Sequence, residues 1–159
     1  MKKIIYYVMP LVLLLSLNNC GYKPIYKSQN TNIKIVKYYL KGNDELSKKL
    51  YSKLNEILIL DEARVIKEVT AEIYAVKDKS IMTKDSSGNA SSYKITINAD
   101  LIIIDITSNE ALFDGSINTS EMYKVLSQGY QTEKLEEKVI SNLIERSAQE
   151  FLLRISQSE

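Results

Sequence analysis

The sequence predicts an α+β two-layer sandwich: a four-stranded mixed sheet with two helices packed on one face, in the order β-α-β-β-β-α. Three observations carry that prediction. Between Ser92 and Thr107, Tyr93, Ile95, Ile97, Ala99, Leu101 and Ile103 alternate with Lys94, Thr96, Asn98 and Asp100, the period of two that marks a half-buried strand. Leu46, Leu50, Leu54, Ile57, Leu58 and Leu60 trace a single helical stripe. A second stripe runs through Leu135, Val139, Leu143, Ile144, Ala148, Phe151, Leu152 and Ile155. Two one-sided helices and a one-sided sheet bury their apolar surfaces only against each other.

The elements follow in chain order. Asn32 to Leu40 reads as the first strand, with Ile33 and Ile35 flanking Lys34 and an ambiguous face from Val36 to Tyr39. Gly42-Asn43-Asp44 interrupts it and offers an N-cap to a helix over Glu45 to Leu60. Arg64 to Lys84 forms the second strand, in which Val65, Val69, Ala71, Ile73 and Ala75 share one parity and Glu68, Thr70 and Glu72 the other. Asp85 to Ala90 is a turn cluster before the third strand, and Ser108-Asn109-Glu110 a second turn. Ala111 to Tyr123 is the fourth strand, Phe113 and Ile117 facing the core opposite Asp114, Ser116, Asn118 and Ser120. The last helix is expected over Thr132 to Ile155, with Thr132 as N-cap and Glu133 and Glu136 in its first turn, at the positive end of the dipole. Residues 32–157 are thus expected to make a single domain. Its helix-free face falls to Lys94, Thr96, Asn98, Asp100 and the polar set of the fourth strand, a surface fit for water or for a polar wall.

Composition narrows the function. The 159 residues contain no histidine and one cysteine, Cys20, so an intrachain disulfide is impossible and a Cys/His zinc site is excluded. Residues 1–19 carry only Lys2 and Lys3 as charges, leaving 19 basic groups against 20 acidic ones in the remainder. That balance gives no electrostatic footprint for nucleic acid. Asp100 and Asp105 are an odd number of residues apart, so one regular strand points them to opposite faces rather than pairing them for catalysis. Ser86 and Ser87 in the turn cluster, and the Ser127-Gln128-Gly129-Tyr130 stretch, lack the strand–turn–helix setting of a nucleophile elbow or phosphate loop. No enzyme activity and no cofactor is expected.

The N-terminus sets the location. Ile4 to Leu17 is a run of fourteen residues, apolar apart from tyrosines, Pro10 and Ser16; a membrane-spanning helix needs about 20. A basic start and a short apolar run have the form of a secretory signal peptide over residues 1–19. The competing reading is a short anchor or buried helix. Leu17-Asn18-Asn19-Cys20-Gly21 resembles the lipobox of bacterial lipoproteins, although Asn19 stands where that family has Gly, Ala or Ser. The resemblance implies that Cys20 is acylated and becomes the first mature residue, with residues 20–31 as a lipidated tether. Two or more acyl chains anchor stably where one does not. Gly21 stands where lipoproteins retained in the inner membrane carry Asp, which by that analogy directs the chain to the outer membrane, on its periplasmic side.

The lipobox, the Cys20-Gly21-Tyr22-Lys23-Pro24-Ile25-Tyr26 segment, the order of elements, the strand from Ser91 to Asp105 and the helix from Tyr130 to Ile155 together resemble the LPS-assembly lipoprotein LptE family over essentially the whole mature chain. That resemblance implies a non-enzymatic protein that plugs and helps assemble the LptD β-barrel and contacts lipopolysaccharide on its way to the outer leaflet. It places Lys84, just before the hairpin, where the family has a basic residue at lipopolysaccharide; Lys79 and Lys94 are further candidates. Each is more readily read as an ordinary solvated lysine beside a turn. The alternative function is an envelope lipoprotein that binds another protein or a small amphiphile. Intact mass should find acyl chains on Cys20, and Cys20→Ala should leave the chain unacylated and free of the membrane. An unmodified thiol on a freely soluble wild-type chain would overturn the assignment.

Overall fold

The computed structural model describes residues 33–58 and 67–158. The proposed signal peptide and tether, and Leu60, Arg64 and Val65 with them, lie outside the described residues. The elements are β1 (Ile33–Gly42), α1 (Asp44–Leu58), β2 (Lys67–Lys84), β3 (Ala90–Asp105), β4 (Ala111–Lys124) and α2 (Gly129–Ser158). The sheet order is β1-β2-β3-β4, with β1 parallel to β2 and the other pairs antiparallel. The predicted order and mixed sandwich are what the chain adopts.

The alternation read from the sequence decides which face is covered. Val69, Ala71, Ile73 and Ala75 of β2 and Ile95, Ile97, Ala99, Leu101 and Ile103 of β3 are buried on one side. α1 lies there against β1 and β2, and α2 lies there against β3, β4 and α1. Leu50, Leu54, Leu143 and Phe151 are sealed at the centre. The Phe151 ring meets Phe113 edge to face, with centroids 6.2 Å apart. A Cβ at Gly115 would lie 2.7 Å from the Phe113 ring, so the bare backbone there is what lets that ring fold along β4 toward α2.

β1 resolves the face its sequence left open. Its register on β2 shifts between Ile35 and Lys37, so the bulge at Val36 reverses the parity of the strand. Ile33 and Ile35 turn toward the helices before it, and Tyr38 and Leu40 after it; the Tyr38 ring stacks on Tyr51 of α1 at 4.0 Å. Gly42 closes the strand at φ 79°, where an added Cβ would meet the Ala75 carbonyl at 2.8 Å. Asn43 then caps α1, its side-chain oxygen accepting the Leu46 N–H at 3.0 Å, as expected for this residue type. The buried Ser47 hydroxyl donates to the Lys41 carbonyl at 2.6 Å.

Most boundaries differ from expectation by one to three residues, and two of the differences have a visible cause. β3 stops at Asp105 because its carboxylate accepts the N–H groups of Thr107 and Ser108, bending the chain into the turn. α2 begins at Gly129, three residues before Thr132, and its first turn carries no acid. Thr132 is therefore not the N-cap. Its backbone N–H already reaches the Gln128 carbonyl, and its hydroxyl accepts the Leu126 N–H at 2.9 Å, tying the β4–α2 loop to the helix.

Truncating Phe151 to Ala should cost about 3–5 kcal/mol in urea unfolding, whereas Asn43→Ala should cost only about 1 kcal/mol by loss of the cap. Similar costs for the two would contradict the packing described.

Candidate functional site

Two surfaces are left uncovered: the helix-free face of the sheet and the far end of the β2–β3 hairpin. On the open face, cross-strand rows run Tyr74–Asp100–Ser116, Val76–Asn98–Asn118 and Asp78–Thr96–Ser120. The Asn98 amide donates to the Asp78 carboxylate at 3.0 Å, and the Asn118 amide donates to the Asn98 side-chain oxygen. These bonds link β2, β3 and β4 by side chains alone. Lys41 adds an ion pair to Glu72 at 2.6 Å. The face is less uniformly polar than expected, because Tyr74, Val76, Ile102 and Ile104 lie on it, half-buried. They lie away from the hairpin tip, where Tyr74 and Val76 pair with Asp100 and Asn98, and Ile102 and Ile104 pair with Glu72 and Thr70.

The hairpin end is built differently. Every residue of β2 from Lys77 to Lys84 is exposed, although Ile97 and Ile95 opposite Lys77 and Lys79 are buried, so it is the β2 strand of the hairpin that overhangs the core. A strut from α2 holds it. Glu136 accepts from the Lys79 ammonium at 2.5 Å, from the Tyr123 hydroxyl at 2.6 Å and from Lys77 at 3.3 Å. The Lys79 ammonium also lies 4.3 Å from the centre of the Tyr93 ring, a cation–π contact. Burial alone would raise the Glu136 carboxyl, but the hydrogen bonds from Lys79, Tyr123 and Lys77 outweigh it and hold the group at about 2. The bond to Glu136 correspondingly pushes the Lys79 ammonium up, against the effect of its own burial. Burial, then the bond to Glu136, pushes the Tyr123 hydroxyl up as well.

The three candidate lysines do not converge. Lys79 pairs with Ile95 on the helix side and is committed to Glu136. Lys94 lies on the opposite, open face between Ser80 and Met122. Lys84 is exposed at the hairpin tip, paired across to Ala90. Around the tip stand apolar side chains that the sequence alone did not single out: Ile81, Met82, Val125 and Leu126 are exposed, and Met122 and Tyr130 are exposed by 63% and 66%. Met82, Thr83, Ser91, Ser92, Met122 and Lys124 line a groove of about 720 Å³ there. The Thr83 hydroxyl bonds to those of Ser91 and Ser92 at 2.7 and 2.6 Å. The groove therefore combines apolar, hydroxylic and basic side chains. Among the described residues, no group of acidic, cysteine or histidine side chains is placed to hold a metal ion, and no helix is long and apolar enough to cross a membrane.

Glu136→Gln tests the strut and its sign. The carboxyl sits below its ordinary 4.5 in the folded chain, so its contribution is complete above that value and disappears as pH falls toward about 2. At neutral pH the variant should be less stable by roughly 1–3 kcal/mol. Thermal unfolding should show the gap to wild type closing on acidification through that window, and a gap independent of pH would contradict the geometry.

No family model matches the chain, and no curated protein matches it. Among solved structures it is similar to rare lipoprotein B from Shewanella oneidensis, with TM-score 0.61 and 15% identity, over 77% of this chain and 95% of that one. A minor lipoprotein from Acinetobacter baumannii superposes with TM-score 0.59 and 12% identity, over 78% and 91% of the two chains. A Caulobacter crescentus chain named as a lipoprotein does so with TM-score 0.57 and 14% identity, over 83% and 93%. At these identities the likeness is one of fold: the strand–helix–three-strand–helix sandwich found here is also the fold of bacterial chains named as lipoproteins.

Proposed function

We propose that this chain is a lipid-anchored outer-membrane protein of the LPS-assembly type. Acyl chains on Cys20 hold it on the periplasmic side, where it plugs and helps assemble an LptD-like β-barrel and contacts lipopolysaccharide during delivery. The observation that carries the proposal is the uncovered β2–β4 face, whose Asp78–Asn98–Asn118 chain of side-chain bonds presents a polar surface on a rigid sheet. Barrel interiors are polar and water-filled, so a plug needs such a surface. The shared fold with chains named as lipoproteins supports the same reading, as does the lipobox-like sequence at Cys20. Tethering by lipid raises the effective concentration of the plug beside its barrel.

Within this proposal the candidate lysines divide. Lys84 at the tip and Lys94 on the open face are offered to an anionic lipid, whereas Lys79 acts through Glu136 to hold the hairpin in place. No catalytic step forms part of the proposed role. A second reading, a lipoprotein that binds a small amphiphile, is favoured by the exposed Ile81, Met82 and Met122 beside the groove.

Purification from outer membranes should bring down a heat-modifiable β-barrel with the chain; recovery alone, or with soluble partners only, would favour the amphiphile-binding reading. Lys84→Glu should weaken lipopolysaccharide binding severalfold without lowering the melting temperature. Unchanged binding would remove Lys84 from the site and leave the barrel proposal standing.

A further inference from the structure

The outer edge of β4 has a structure of its own. In an antiparallel ladder, residues alternate between those that aim both backbone groups at the neighbouring strand and those that aim both away. The Val125 N–H bonds to the Ser91 carbonyl of β3, so the odd-numbered residues face inward. The even-numbered ones, from Asp114 to Lys124, aim N–H and C=O outward. The β3–β4 register is unbroken over that stretch, and no proline interrupts it. β1, at the other edge of the sheet, is broken by its bulge at Val36. A long regular edge is a template for another strand unless something blocks it.

Arg154 is placed to block it. Its Nη1 donates to the Ser116 carbonyl at 3.0 Å, and its Nη2 to Glu150 Oε1 at 2.6 Å, one helical turn back on α2. The bond to Ser116 independently fixes that carbonyl as outward-facing. It also fills an acceptor that an incoming strand would need. We propose that the β4 edge is a pairing surface for a second copy of this chain, held shut by Arg154.

The charge pattern selects both the occupant and the register. Two antiparallel β4 strands related by a two-fold axis at Thr119 set Ser116 opposite Met122, Asn118 opposite Ser120 and Asp114 opposite Lys124. The last pairing occurs twice, once on each side of the axis, and directly opposed unlike charges stabilise a cross-strand pair. Asp114 and Lys124 are both exposed, and neither forms an ion pair with another described residue. On the other face the same register sets Gly115 opposite Tyr123, so the small residue leaves space for the ring. An axis at Asn118 instead sets Asp114 against Met122 and Lys124 against Leu112, and the complementarity is lost. The inference is independent of the proposed lipopolysaccharide role.

Sedimentation of the full chain in detergent across a concentration series tests it. Wild type should run as one copy, and Arg154→Ala as two, with dimer affinity raised at least about tenfold. In the Arg154→Ala background, Asp114→Lys should return the chain to one copy, and Asp114→Lys combined with Lys124→Asp should restore the pair. Ser116→Pro removes an outward N–H that the β3 ladder does not use, and should also abolish pairing without unfolding the sheet. Should Arg154→Ala fail to fold, Arg154→Glu provides the same loss of the guard. A single-copy Arg154 variant overturns the proposal. So does a dimer indifferent to the Asp114 and Ser116 changes, or a wild type that already pairs through β4.

Discussion

One-sided burial of β2 and β3 is the constraint on which the rest of the molecule depends. Alternate residues from Val69 to Ala75 and from Ile95 to Ile103 are sealed beneath the helices, and a strand cannot move one of these inward without moving its neighbours outward. Both helices must therefore gather on that side. α2 comes close enough for buried Ser147 and Thr119 to bond to each other at 3.0 Å, and Ser147 also donates to the Leu143 carbonyl, so neither hydroxyl is stranded in the core. The open face exists because nothing amphipathic remains in the described chain to cover it.

The same constraint explains the overhang. Beyond Ala75 the helix side of the hairpin stays buried only on β3, at Ile97 and Ile95, while β2 presents Lys77 and Lys79 opposite them. Glu136 supports that part of β2 with polar bonds to two lysines and a tyrosine. A support of this kind holds the hairpin without sealing it, and leaves Met82 and Met122 at the solvent. Polarisable, unbranched side chains at an exposed groove adapt to varied apolar shapes, which suits either of the two binding readings.

The fold was legible in the sequence because it is written in local periodicity. Ser92 to Asp105 shows the period of two, and Leu46 to Leu58 the period of a helix, without any knowledge of their neighbours. β1 resisted because a single extra residue at Val36 switches the parity within one strand, and only the register on β2 exposes that. Glu136 was misread for a related reason. Near a helix start, an acid is equally consistent with a dipole contact, and its actual partners, Lys77, Lys79 and Tyr123, are brought to it by tertiary packing. Met82 and Met122 fall on the parity of the polar residues of their strands, but their apolar character gave no reason to read them as part of a site, and Cys20 lies outside the described residues.

The bulge in β1 makes Val36 a residue that the core does not count. Ile35 and Lys37 pair with consecutive residues of β2, Val69 and Thr70, so Val36 is the extra one. A chain lacking it would alternate without interruption, with Ile33, Ile35, Tyr38 and Leu40 all on the helix side and the Tyr38–Tyr51 stack kept. Val36 is itself exposed, so neither its side chain nor its presence is required by the packing. What it supplies is the local bend and added twist of an edge strand.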